Sequence, residues 1–185
     1  MSKLLYITLV LIGLTLMACP YESKVELNTY EQAIKTDKKL LDQWVSFHKE
    51  GGREELSISK LEKAVLQVYH KQFGKTNKLE SRESYRVYAT EINEYEILNI
   101  ETKDENKYLF AKYGWTGKNE FYIQFVDANY MENNFKEDTV TTKNLRAFIT
   151  EHVNKENLYT NKIEFYRKHS PEYEKVRMFM KKSGF

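Results

Sequence analysis

The chain has very little of what usually punctuates or staples a protein. There is one cysteine, Cys19, so an intramolecular disulfide framework is excluded. Two prolines and seven glycines in 185 residues are too few for a collagen-like or a low-complexity linker chain. Neither sign of charge dominates: 29 Lys and Arg stand against 27 Asp and Glu, and no basic excess marks a nucleic-acid binder. Beyond residue 18 there is no long apolar run. No internal repeat and no low-complexity segment is visible. What is abundant is aromatic: 14 Tyr and 10 Phe, a composition suited to pleated, half-buried surfaces and unlike that of a disordered chain.

The N-terminus has its own pattern. Lys3 is followed by the apolar run Leu4 to Leu14, then by Leu16-Met17-Ala18-Cys19. A bilayer span needs about 20 apolar residues, so this run has the length of a secretory signal rather than of a membrane helix. Leu-x-Ala-Cys is close to the lipobox, in which the cysteine sulfur takes a diacylglycerol. Residues 1–18 therefore read as a signal peptide and Cys19 as the lipidation site. The next residue is Pro20 rather than an aspartate, so the inner-membrane retention signal is missing, which favours the outer membrane of the cell envelope. Residues 19–36, polar for the most part, read as a lipidated tether, and residues 37–185 as one globular domain.

Along that domain, Leu40 to Phe47 opens the fold and Gly51-Gly52 ends the first element. Leu56 to Ser59 alternates at period two, the spacing of a strand. Residues 60–73 fit a strand or a capped helix, and the meander around them favours the strand. Tyr85 to Thr90, Tyr95 to Thr102, Tyr108 to Tyr113 and Phe121 to Phe125 predict further strands. They are joined by polar turns at Asn93-Glu94, Lys103 to Asn106 and Gly114 to Gly117. Thr141 or Thr142 caps a helix with the stripe Leu145, Phe148, Ile149 and Val153. Ile163 to Arg167 reads as a last strand. Ser170 and Pro171 begin a second helix, predicted to pack through Tyr173, Val176, Phe179 and Met180. The expectation is a mainly β (α+β) antiparallel meander closing into a barrel, with two helices near the C-terminus.

Cys19-Pro20-Tyr21-Glu22-Ser23, Leu40-Leu41-x-x-Trp44, the meander, the helix and the last strand, in that order, resemble a group of small Gram-negative envelope lipoproteins with a lipocalin-like domain. The lipocalin signature on the first strand is Gly-x-Trp; here Asp42 occupies the glycine position. The resemblance implies that Trp44 closes one barrel end, stacked under an arginine of the last strand, and Arg167 stands at that place. It implies no catalytic activity.

Motifs that carry chemistry are scarce. Gly74-Lys75-Thr76 lacks the first glycine of a phosphate loop, since position 69 is Tyr. His48, His70, His152 and His169 show no metal-ligand spacing, and no metal or cofactor is expected. The acid pairs Glu54-Glu55 and Asp104-Glu105 abut turns and read as solvated. Trp115, in a glycine-flanked turn, is the candidate for contact with a ligand or partner, with Tyr88, Tyr113 and Tyr122 on a shared sheet face. The sequence thus points to a lipid-anchored envelope binding or accessory module that is not an enzyme. Its partners are the membrane, reached through the lipid, and a small apolar ligand or an envelope protein. The alternative is a surface lipoprotein that works by protein–protein contact.

Overall fold

The computed structural model describes residues 19–102 and 106–183; the signal-peptide reading of 1–18 and the acid pair Asp104-Glu105 lie outside the described residues. The chain runs β1 (Glu22–Ser23), β2 (Asp42–Phe47), β3 (Arg53–Lys60), β4 (Val65–Phe73), β5 (Leu79–Ile92), β6 (Tyr95–Thr102), β7 (Lys107–Gly117) and β8 (Glu120–Phe125). It continues through α1 (Ala128–Asn134), α2 (Thr142–His152), β9 (Ile163–Arg167) and α3 (Pro171–Lys182). Strands β2 to β9 pair antiparallel in sequence order. β9 pairs back onto β2, Trp44 opposite Arg167, so the meander closes into an eight-stranded barrel of lipocalin-like form. Closure leaves those strands without a free edge. Residues 65–73 are strand, because Val68 and Leu66 face the interior beside Val87 and the ladder to β5 runs unbroken as far as Gln72.

Period-two alternation sorts the side chains. Leu56, Leu66, Val68, Val87, Ala89, Leu98, Ile100, Ala111, Phe121, Ile123 and Phe165 share one core inside the barrel, with Trp44 at 0% exposure among them. A second core lies on the outer wall. Ile97 and Phe110 point outward there and are covered by Leu27, Met131, Leu145, Ile149, Val153 and Leu158. The cap and apolar stripe of α2 explain this cover. Thr141 accepts from the Asn144 backbone amide and Asn144 returns the bond, and Leu145 and Ile149, four residues apart, then fall on one buried face.

Three elements differ from the sequence reading. Residues 19–36 do not hang free as a tether. β1 pairs with the stretch of β7 that precedes the β8 ladder, Glu22 opposite Leu109. Ile34 bridges Ala89, and Leu27 is fully buried. The segment is a strap across the barrel wall, held there because Ile97 and Phe110 would otherwise face water. α1, which the sequence pattern did not indicate, follows β8 directly, capped by Asp127. α3 is present with Ser170 as its cap, but none of its residues is buried, and Phe179 is 67% exposed rather than packed. At 3.6 residues per turn, Tyr173, Val176 and Met180 make one stripe and Phe179 sits about 120° round the helix from Tyr173. Among the described residues no helix is long and apolar enough to cross a membrane.

Candidate functional site

The two ends of the barrel differ in chemistry. At one end Trp44 lies under Arg167, whose guanidinium is 4.8 Å from the ring centre. Arg167 also pairs with Asp42, 2.5 Å away. Trp44 Nε1 donates to the Leu40 carbonyl at 2.8 Å, so the short 3-10 turn Lys38–Leu40 is drawn across the opening. Trp115 joins this lid. It is not in a turn: Gly114 to Gly117 belong to β7, and the hairpin turns at Lys118-Asn119. Its ring lies 5.8 Å from Trp44 and 5.6 Å from Phe121, and its Nε1 donates to Asp37 at 3.1 Å. The indole that looked free to bind is used to pack, because strand periodicity carries it inward with Tyr113.

The tyrosines proposed as companions do not gather around Trp115. Tyr113 points inward and donates to Glu96 at 2.5 Å. Tyr88 points outward, between the inward Val87 and Ala89, and is buried under the strap. Its hydroxyl donates to the Asn28 carbonyl at 3.0 Å, and its ring meets Tyr30 at 4.4 Å. Burial drives the Tyr88 phenol upward from its ordinary range. Tyr122 is outward as well, on the other side of β7, with Lys162 4.3 Å above its ring. A β-carbon at Gly114 would stand 2.6 Å from the Tyr122 hydroxyl, so the glycine is what lets that ring lie across β7.

The other end holds a polar cluster that sequence reasoning missed. Glu54 is on the same face of β3 as Leu56 and therefore points into the barrel, while Glu55 points out to Arg53 and Lys168. His48 Nε2 lies 2.7 Å from one Glu54 oxygen and His70 Nε2 3.0 Å from the other. The Glu54 side chain is only 16% exposed, so Glu54-Glu55 is not a solvated pair. Burial opposes the charged carboxylate, but the two imidazole hydrogen bonds and the imidazole charge outweigh it and hold Glu54 at about 2. The bond to Glu54 raises His48 above its ordinary value, against the effect of burial. Tyr85, bonded to Glu83, borders the cluster, with its ring 6.4 Å from His70. The signal that points to Glu54 is the period-two alignment Glu54-Leu56-Ile58; what pairs it with His48 and His70 is the register, which no local pattern contains.

Both oxygens of Glu54 are engaged, so the group is charge-compensated and not poised to take a proton from a substrate. Among the described residues no set of three or more His, Cys, Asp and Glu is arranged to hold a metal ion. The Glu54 shift fixes a pH dependence. A carboxylate depressed in the folded state contributes stability above its ordinary value near 4.5 and loses it as pH falls toward 2. His48, raised in the folded state, contributes below 6.5 and loses that contribution as pH rises through its folded value. Glu54→Gln is therefore expected to cost roughly 2–3 kcal/mol near pH 5–6. The difference from wild type should shrink on the acid side and again in alkali. Urea midpoints across pH 3–9 check this; a pH-independent difference would contradict it.

A third feature is an open groove of about 620 Å³ between the strap and the β3–β4 hairpin. Tyr30, Lys35, Lys38, Lys60, Lys63 and Leu66 are among its lining residues, and Glu31, Asp37 and Glu62 offset most of the positive charge. Cys19 is exposed at the start of the strap. Comparison with known protein families, with curated proteins and with solved structures gives no match to this chain.

Proposed function

We propose that this chain is a lipid-anchored domain of the bacterial cell envelope, carried on Cys19 at the outer membrane. It works as a binding or accessory module by contact of its surface with another envelope component. The observation that favours surface contact over an apolar ligand held inside is the packing of the barrel axis. Trp44, Phe121 and Phe165 pack together there, Trp44 edge-on to Phe121 at 4.7 Å and Phe121 stacked on Phe165 at 5.4 Å, and Leu56, Leu66 and Val87 fill in around them. A ligand entering that volume would have to displace buried aromatic side chains. The anchor reading rests on the apolar run and Leu16-Met17-Ala18-Cys19, and on an exposed Cys19 whose sulfur the fold does not use. Several acyl chains make a durable attachment, since each buried methylene contributes about 0.8 kcal/mol.

Growth with an alkynyl palmitate analogue should label the wild-type protein in the membrane fraction. A Cys19→Ser variant should lose the label and leave that fraction, while melting as the wild type does. A variant that stays in the membrane to the same extent would refute the anchor.

A further inference from the structure

We propose that the outward face of α3 is a second membrane contact, which takes an anionic lipid surface against Met178 and Phe179. This rests on the reading that Cys19 carries lipid. Met178 and Phe179 are 56% and 67% exposed, the two most exposed large apolar side chains among the described residues. They lie in a stretch, Lys175 to Lys182, that holds four basic residues and no acid. Arg177 is paired back to Glu174 at 2.7 Å, while Lys175, Lys181 and Lys182 flank the apolar pair. An exposed apolar pair ringed by lysines on a helix is complementary to lipid headgroups that are negative outside and apolar beneath.

Topology supplies the second argument. β2 and β8 each run antiparallel to β9, so their C-terminal residues, Phe47 and Phe125, lie at the same end of the barrel. Cys19 is fixed at that end without slack. Its carbonyl accepts from the Ala128 amide at 2.9 Å, and Pro20 pairs with Asp127, two residues past β8. A lipid on Cys19 therefore brings the bilayer against this end. α3 starts at the opposite, Trp44-closed end, where Asn119 donates to Glu172 at 3.1 Å. Its first turn already reaches Phe47 through Tyr173, with ring centres 5.7 Å apart. Beyond Tyr173 the fold buries none of the helix.

The test uses the chain from residue 19 with Cys19→Ser, which keeps every described backbone contact and carries no lipid. It should co-sediment with phosphatidylcholine–phosphatidylglycerol vesicles and not with phosphatidylcholine alone. Each lysine near an anionic surface contributes about fivefold, so K181Q/K182Q should weaken binding roughly 25-fold. M178S/F179S should abolish binding while leaving the melting temperature unchanged, since both side chains are exposed. Equal binding to both vesicles, no binding to either, or either double variant binding as well as the parent would overturn the proposal. So would a concentration-dependent dimer that M178S/F179S dissolves, because a second copy would then cover the face. Acylation is read separately by the palmitate label, so each idea can fail alone.

Discussion

A chain that begins at Asp37 is expected to lose its cooperative fold. The strap it lacks buries Leu27 completely and half-buries Tyr21, Val25 and Ile34 against the barrel. Full burial of one large apolar side chain contributes about 1.5–3 kcal/mol. The strap also completes a polar network on the barrel wall. The Leu27 amide donates to Asn99 Oδ1 at 2.9 Å, Asn99 Nδ2 donates to Thr90 at 2.7 Å, and Tyr88 donates to the Asn28 carbonyl. Arg86 and Glu101 pair at 2.5 Å beside Tyr30, which bonds the same carboxylate. Together the loss should exceed about 5 kcal/mol, a large share of the 5–15 kcal/mol that holds a typical domain. Near-UV circular dichroism and urea unfolding check this. An unchanged urea midpoint would mean that residues 20–36 are a tether after all. Leu27→Ala isolates the apolar part, and its expected cost is about 2–5 kcal/mol.

Trp44→Ala should lower stability by about 3–5 kcal/mol, as truncation of a fully buried tryptophan does. For a domain of this size that is a fall of roughly 10 °C in Tm. Three side chains lose a partner together, Phe121, whose ring meets Trp44 edge-on at 4.7 Å, Trp115 and Arg167, and the Leu40 carbonyl loses the indole donor. Arg167→Leu should cost less, since the cation–π contact contributes about 0.5–2 kcal/mol and the Asp42 pair is partly solvated. Trp44→Ala and Trp115→Ala touch one another's packing, so the double variant should cost less than the sum of the two. Strict additivity in that cycle would show that the two indoles do not form one lid.

Strands and helix α2 were legible in the chain because their signals are local, whereas the closing pair Trp44–Arg167, far apart in the chain, was implied only by the family resemblance. Val87-Tyr88-Ala89 alternates, and Thr141 sits three residues before Asn144. The reading of the functional residues fared differently, because it depends on which strand lies beside which and at what offset. Trp115 looked exposed since glycines flank it. A bulge between Trp115 and Gly117 and the inward phase of β7 put it against Trp44 instead. Glu54 looked solvated since a turn is near. Its phase with Leu56 puts it inside, and two histidines 22 residues apart meet it there.

The sequence by itself determined a single-cysteine, aromatic-rich chain with period-two strands and a capped helix, and a lipobox-like start. Each of these is written in neighbouring residues, as spacing, composition or a motif. Tertiary structure alone decided that the polar segment after Cys19 is a strap, that Trp115 is a lid and that Phe179 is left uncovered. Each of those depends on whether a side chain finds a wall from a distant part of the chain to cover it. That is a property of register and closure, which spacing along the chain does not encode.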